Sequence, residues 1–527
     1  MEQYQYQDKF VHGLPIALTF DDVLLVPQYS EVQSRSQCNI KSKFSKNVPL
    51  NIPIVSSPMD TVTEYKLAQE LARLGGLGII HRFMSIEDQA IQVSRVKRAQ
   101  SYMVNDPLRV SKKTTYGQLK QLQEQYGYST FLVCNEGQES DFQKQNRSPQ
   151  KRKNSEQPDT IEEINLGTLE GIITSRDIKN FQFYDETVEK YMTPRQELKV
   201  IEVDRANLSS LDEIINPQKI IEQLRKNKIE KIPVVTQKNE IIGLITAKDM
   251  EAMINSSEAN KDVEGKLQVG AAVGANKDYI ERSKKLVDAG CNVLVVDVAN
   301  GHSTICIESV KRLKEQFPDV DVVAGSIATG EGALNLIKAG ADGIRCGIGN
   351  GSICITRMVA GAGVPQLSAL MDVAPVCKEF GVPLISDGGN KCSGNMAKAL
   401  AAGADCIMVG RLVAGCEESP SSKIFRDGKL QKVYRGMAGY GANFAKAQRT
   451  GEKVPETEKF NPEGVEGYTP YSGPLEGVIN QFTQGIKSGM SYSGAFNLAE
   501  HKSKSKFLRI TSSGFRESNV HSVNKIQ

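Results

Sequence analysis

Ala289–Gly301 reads AGCNVLVVDVANG. An Ala-Gly turn is followed by Asn292, four apolar residues, an acid at Asp297 and an Asn-Gly pair. Before it lies a segment of helical length and period, Asp278–Ala289. The Ala-Gly-x-(Asn/Asp) phrase returns at Ala339–Asp342 and Ala402–Asp405, each time ahead of an apolar run. A helix, an Ala-Gly turn and a buried strand, repeated, predict β/α units with a parallel sheet. Working outward, eight such runs appear. They are Ile52–Met59, Gly76–Arg82, Leu267–Gly274, Asn292–Gly301, Val320–Thr329, Asp342–Gly349, Val382–Gly389 and Asp405–Arg411. Eight strands fit a closed (β/α)8 barrel, a TIM barrel, better than the alternative of an open doubly wound sheet.

The barrel pattern stops from about Gln100 to Ala259, dividing the chain into a first barrel part (1–99), an insertion (100–259) and a second barrel part (260–527). Within the insertion one unit occurs twice: FLVC at Phe131–Cys134 with GIITSRD at Gly171–Asp177, then IPVV at Ile232–Val235 with GLITAKD at Gly243–Asp249. Thr174, Asp177, Thr246 and Asp249 fall at strand-to-helix boundaries, where they could cap a helix or bond a nucleotide. This duplication resembles a tandem pair of CBS modules, which implies regulation by adenine or guanine nucleotides. The stretch 136–163 is polar and charged, and reads as a disordered surface insertion. The segment 441–463 is polar, has Gly and Pro and lacks a long helical pattern, so it reads as a mobile flap. In the basic, Ser-rich tail, the more apolar Phe507–Ile510 is expected to dock on a neighbour.

Composition narrows the function. The 527 residues are 39% hydrophobic and 24% charged, with a net charge of +3, too balanced for a nucleic-acid or membrane-surface protein. No apolar run reaches the roughly 18 residues of a membrane span, and Met1–Phe10 is polar, unlike a signal peptide. A cytoplasmic location is the reading. The ten cysteines form no CxxC and the five histidines no HxxxH, so reduced thiols are expected and no zinc site.

The densest segment is RCGIGNGSICITR, Arg345–Arg357. Alternating glycines expose backbone to a ligand, Ser352 can donate to a phosphate oxygen, and Cys354 lies on a loop at the C-terminal end of a strand, where barrel active sites are built. It reads either as a nucleophile or as a structural cysteine in a turn. Asp387-Gly388-Gly389 and Gly410-Arg411 end the last two strands, whose loops commonly grip phosphate. Asp387 suits ribose hydroxyls, so a nucleoside monophosphate satisfies both demands; a plain tight turn is the other reading. Asp297 could accept from a ribose diol or cap a helix.

Taken together, TFDDVLL (Thr19–Leu25), SSPMDTVTE (Ser56–Glu64), GGLGIIHRF (Gly75–Phe83), Gly347–Thr356, ISDGG (Ile385–Gly389), EESP (Glu417–Pro420), YRGM (Tyr434–Met437) and PEGVEG (Pro462–Gly467) closely resemble the IMP dehydrogenase/GMP reductase family. The resemblance implies a homotetramer, or an octamer, and an enzyme. It implies that Cys354 attacks C2 of the purine while hydride is exchanged with NAD, or with NADPH in a reductase. Ser352, Asp387, Gly388, Gly389, Gly410, Arg411, Tyr434, Arg435, Gly436 and Met437 would hold the nucleotide, with Glu463. Asp297, Gly347, Ile348 and Gly349 would face the cofactor. The carbonyls of Gly349, Gly351 and Cys354 would bind a monovalent cation, K+, completed by Glu517, Ser518 and Asn519 from a neighbouring subunit. Thr356 and Glu463 would move protons. Oxidation of IMP to XMP is the first reading, because SSPMDTVTE, IIHRF and YRGM lean that way. Reduction of GMP to IMP is the alternative: the family's dehydrogenases activate water with an Arg-Tyr pair, and here Arg449 is followed by Thr450. Asp297–Gly301 and Asn497–Glu500 lean towards the reductase as well. A degenerate nucleotide-sensing protein is a minor third reading, opposed by the retention of Cys354, Thr356 and Glu463.

Overall fold

The computed structural model describes residues 10–11, 14–98, 103–104, 107–126, 129–135, 167–204, 217–247, 250, 258–454, 456 and 460–520. The chain forms two compact units, Met1–Ala99 with Glu258–Gln527, and Gln100–Ser257.

The first unit is a closed barrel of eight parallel strands. They are β1 (Ile54–Ser56), β2 (Leu77–Ile80), β3 (Val269–Val273), β4 (Val293–Asp297), β5 (Asp321–Ile327), β6 (Gly343–Cys346), β7 (Leu384–Asp387) and β8 (Cys406–Val409). Each falls within one of the eight apolar runs, and β8 closes on β1 through Ile407 opposite Ile54. Alternation sets the two sides of each strand. In β4, Val293 and Val295 fill the barrel interior with Val55, Ile79, Val323 and Met408. Leu294 and Val296 face outward to pack under the helices. Phe44, Val48 and Leu50, from the segment before β1, join the interior cluster. Each buried aliphatic side chain contributes roughly 1.5–3 kcal/mol.

The recurring Ala-Gly-x-(Asn/Asp) phrase has a physical role. Gly290, Gly340 and Gly403 end their helices at φ +90°, +102° and +112°, backbone that side chains rarely adopt. Two residues on, the polar side chain fastens the neighbouring strand. Asn292 Oδ1 accepts from Val269 N at 3.0 Å, Asp342 Oδ2 from Val322 N at 3.0 Å and Asp405 Oδ2 from Leu384 N at 2.8 Å. The phrase thus ends a helix and staples strand β4 to β3, β6 to β5 and β8 to β7.

Two expectations are corrected or sharpened outside the barrel. The segment read as lacking a long helical pattern contains an 11-residue helix, Tyr440–Thr450, with Ala442 and Ala447 buried and Gly451 ending it at φ +71°. Small buried alanines carry that helix instead of a broad apolar stripe, which is why its periodicity was faint. The tail strand Phe507–Arg509 docks on the same chain, antiparallel to Val23–Leu25.

The second unit holds two four-stranded sheets. In one, Arg109–Ser111 runs parallel to Phe131–Cys134, which pairs antiparallel with Gly171–Ile173. In the other, Ile201–Val203 runs parallel to Lys231–Thr236, which pairs antiparallel with Ile241–Thr246. The sequence duplication is thus a structural one. Asp177 closes a capping box, accepting from Thr174 N at 2.8 Å and Thr174 Oγ1 at 2.7 Å. The stretch 136–163 and Asp249 lie outside the described residues.

Candidate active site

A cavity of about 600 Å³ opens at the C-terminal ends of the barrel strands, the end at which a (β/α)8 barrel presents its loops. The loop after β6 forms one wall and is tied to β7. Asn350 Nδ2 donates to Asp387 O at 2.9 Å, and Gly389 N donates to Asn350 O at 3.1 Å. Gln366 Nε2 donates to Cys346 O at 2.8 Å. Gly388 and Gly389 turn at φ +81° and +75°, so the DGG phrase carries the backbone along the cavity wall in a conformation that would strain a side-chain-bearing residue.

Cys354 is the one cysteine in the cavity wall. Cys346 and Cys406 are buried in strands, and burial pushes both thiols up. Cys354 Sγ donates to Thr356 Oγ1 at 3.2 Å, and that hydroxyl donates to Glu463 Oε2 at 2.7 Å. A hydroxyl has one proton to give. The thiol's proton therefore points along a path that ends on a carboxylate, the arrangement a nucleophile needs to lose a proton. The backbone holds the path together: Ile355 N donates to Glu463 O at 2.9 Å, and Val465 N to Ile353 O at 3.0 Å.

Two carboxylates face the same space from β4 and β7. Burial pushes Asp297 up, but the guanidiniums of Arg345 and Arg82 more than offset it and hold it below the usual range. Burial raises Asp387 and the neighbouring Asp297 adds to this, with Arg345 pulling the other way. Tyr434 is buried across the cavity. Its hydroxyl lies 3.0 Å from where a side chain on Gly410 would begin, so a larger residue there would push the hydroxyl aside.

Of the residues expected from sequence, Ser352, Asp387, Gly388, Gly389, Gly410, Arg411, Tyr434, Gly436, Met437, Asp297, Gly347, Ile348, Gly349, Gly351, Cys354, Thr356 and Glu463 all line this cavity. Four groups stand apart. Arg435 turns to Asp60, its Nε donating to Oδ2 at 2.9 Å. Arg449 Nη1 donates to Glu64 Oε1 at 3.0 Å, and Thr450 Oγ1 to Lys446 O at 2.9 Å, so neither lines the cavity. Glu517 ends a short helix, Ser512–Glu517, and with Ser518 and Asn519 lies outside the cavity wall of its own chain. Sequence reading passed over Arg345, Arg82, Asn350, Gln366 and Asn390. Arg345 had one available signal, an arginine inside an otherwise apolar strand.

The donor set suits the groups the sequence implied. Asn390 Oδ1 is buried at the cavity wall without a partner, and the Asp387 carboxylate faces the same space, acceptors matched to ribose hydroxyls. Neutral carbonyls suit a monovalent cation: Gly351 O accepts from Cys354 N at 3.2 Å and keeps a second lone pair.

A thiol hydrogen-bonded to a hydroxyl and, through it, to a carboxylate, among glycine loops at the C-terminal end of a (β/α)8 barrel, is the arrangement of an enzyme site. The chain matches the family model "IMP dehydrogenase / GMP reductase domain" over residues 17–521, and it belongs to that family of oxidoreductases. It is 43% identical to inosine-5'-monophosphate dehydrogenase of Aquifex aeolicus over 508 residues, 96% of this chain and 95% of that one. It is 42% identical to GMP reductase of Leishmania major over 522 residues, 97% and 98% of the two chains. Among solved structures it resembles GMP reductase from Trypanosoma brucei in complex with guanosine 5'-monophosphate, at 40% identity and a TM-score of 0.81, covering 97% of this chain and 99% of that one.

Proposed function

We propose that the chain exchanges hydride at C2 of a purine nucleoside monophosphate through an adduct on Cys354, and that it runs in the reductive direction, from GMP to IMP. Relatives carrying both names support both directions. The observation that favours reduction is the fate of the flap pair. Arg449 is held by Glu64 and Thr450 by its own helix, so neither member of the pair lines the cavity beside Cys354, where it would have to stand to activate the water that an XMP-forming hydrolysis requires. Ammonia release needs only a proton, and the path from Glu463 through Thr356 carries one.

The steps follow from the geometry. Cys354 Sγ bonds to C2 while its proton moves through Thr356 to Glu463. The same path returns a proton to the exocyclic amine, the C–N bond breaks and ammonia leaves. Hydride then reaches C2, the C–S bond breaks, and the electron pair returns to sulfur as IMP forms. A nicotinamide cofactor, NADPH in this direction, supplies the hydride when bound. Asp387, Gly388, Gly389 and Asn390 orient the nucleotide with Ser352, Gly410, Arg411 and Tyr434. Asp297 and Gly347–Gly349 face the cofactor. The carbonyls of Gly349, Gly351 and Cys354 would hold K+, with Glu517, Ser518 and Asn519 of the partner subunit in a homotetramer. The second unit acts as a tandem CBS module that responds to adenine or guanine nucleotides. The setting is cytoplasmic, and no described helix is long and apolar enough to cross a membrane.

Oxidation of IMP to XMP is the second reading. It shares the adduct, and Thr356 with Glu463 could draw a proton from water in place of a flap pair. The shared core of both readings is tested by alkylating Cys354. GMP or IMP should protect the thiol, and Cys354→Ala should bind nucleotide without turnover. Full turnover in that variant would overturn both.

A further inference from the structure

Arg345 is 4% exposed in β6 and stands between two carboxylates. Its Nη2 donates to Asp297 Oδ1 at 2.7 Å. Its Nε is 3.6 Å from Asp387 Oδ2, beyond hydrogen-bond reach, and is buried without a hydrogen-bond partner. Arg82, from the end of β2, approaches the other oxygen of Asp297 at 4.0 Å. An arginine strongly bonded on one side and left short of a bond on the other is poised between two positions, because its planar fork moves as one body.

We propose that Arg345 is a positioning residue that couples the nucleotide and cofactor subsites, by sharing one rigid guanidinium between Asp387 and Asp297. The proposal rests on the reading that Asp387 takes the nucleotide ribose and Asp297 the cofactor. The sign follows from the two distances. When a ribose diol fixes the Asp387 carboxylate, closing the 3.6 Å gap to an ordinary bond draws the guanidinium away from Asp297. The bond of 2.7 Å to Asp297 then loosens, and that carboxylate becomes free to accept from the second ligand. Nucleotide binding therefore favours cofactor binding, and by reciprocity the cofactor favours the nucleotide.

Calorimetric titration tests this with GMP and NADP+, a pair that cannot react in the reductive direction. In the unmodified protein, saturating GMP should tighten NADP+ binding by about fivefold or more. Arg345→Met should abolish the tightening, and Arg345→Lys, which keeps a charge but not the fork, should restore at most part of it. Asp387→Asn should also abolish it, while leaving the Arg345 contact to Asp297 in place. Equal tightening in Arg345→Met and the unmodified protein would overturn the proposal. If circular dichroism shows Arg345→Met unfolded, the Asp387→Asn arm decides: tightening retained there overturns it. Failure of GMP to bind the unmodified protein would overturn the site reading, and the proposal with it. Binding of both ligands with no mutual effect would overturn the proposal alone.

Discussion

Replacing Glu463 by glutamine keeps the shape of the proton path and removes its terminus. Thr356 Oγ1 lies 2.7 Å from Glu463 Oε2 and 3.2 Å from Cys354 Sγ, so a glutamine oxygen can still accept a hydrogen bond but cannot take the proton. The main-chain pairing of Ile355 N with Glu463 O, at 2.9 Å, does not depend on the side chain and should survive. The loss should therefore be chemical. General acid–base catalysis contributes typically about 10²–10⁴-fold, which at about 1.36 kcal/mol per decade is roughly 2.7–5.4 kcal/mol of barrier. Single-turnover conversion of GMP to IMP, with ammonium measured in parallel, should slow by that factor in Glu463→Gln. GMP affinity measured by calorimetry should change by less than about threefold, because hydrogen-bonding capacity is retained. Thr356→Val should match the slow variant, and Thr356→Ser should stay within about tenfold of the unmodified protein. A Glu463→Gln enzyme that releases ammonium at the normal rate would refute the path.

Cys354→Ala should lose turnover and keep nucleotide binding, whereas Cys346→Ser and Cys406→Ser should change stability and not chemistry, as steady-state rates on the folded fraction will tell. Arg449→Ala should leave GMP reduction within about threefold, since its exposed pair with Glu64 is worth about 0–1 kcal/mol; if water activation limits the rate, an XMP-forming burst assay would show a much larger loss. Because Asp387 is raised, mainly by burial, its carboxylate protonates at a higher pH than an ordinary aspartate, near 3.9. GMP affinity should then weaken as pH falls towards that raised value, and Asp387→Asn should flatten the profile. Asp297 has the opposite sign: its depressed value contributes stability above the unfolded pKa that is lost as pH falls through the folded one, which acid unfolding of Asp297→Asn would expose. Replacing 100–259 by a short Gly/Ser linker should keep kcat within about tenfold, about 1.4 kcal/mol, and remove any response to added purine nucleotides.

The barrel was legible because its signal is local and repeated. Apolar runs of strand length, Ala-Gly turns and a following Asn or Asp each have one physical job, and the hydrogen bonds of Asn292, Asp342 and Asp405 to Val269, Val322 and Leu384 show it. Cys354 and the DGG turn were legible by their place at strand ends. The contacts that give the site its chemistry were not. Glu463 lies far along the chain from Thr356, and Arg345 meets Asp297 and Asp387 only because β4, β6 and β7 come together around a closed barrel. Arg435 looked like a nucleotide ligand within YRGM, yet the buried Asp60 captures it. Pairings of this kind are set by the fold and leave no spacing pattern. The helix Tyr440–Thr450 was hidden for a different reason: its buried face is alanine, too small to stand out from a polar background.

The reductive direction is tested most directly by following nicotinamide absorbance in two mixtures of the purified protein, GMP with NADPH and IMP with NAD. NADPH oxidation should depend on GMP and release one ammonium for each IMP formed, with no XMP accumulating from IMP and NAD. Steady XMP formation from IMP and NAD, with NADPH left unchanged by GMP, would contradict it.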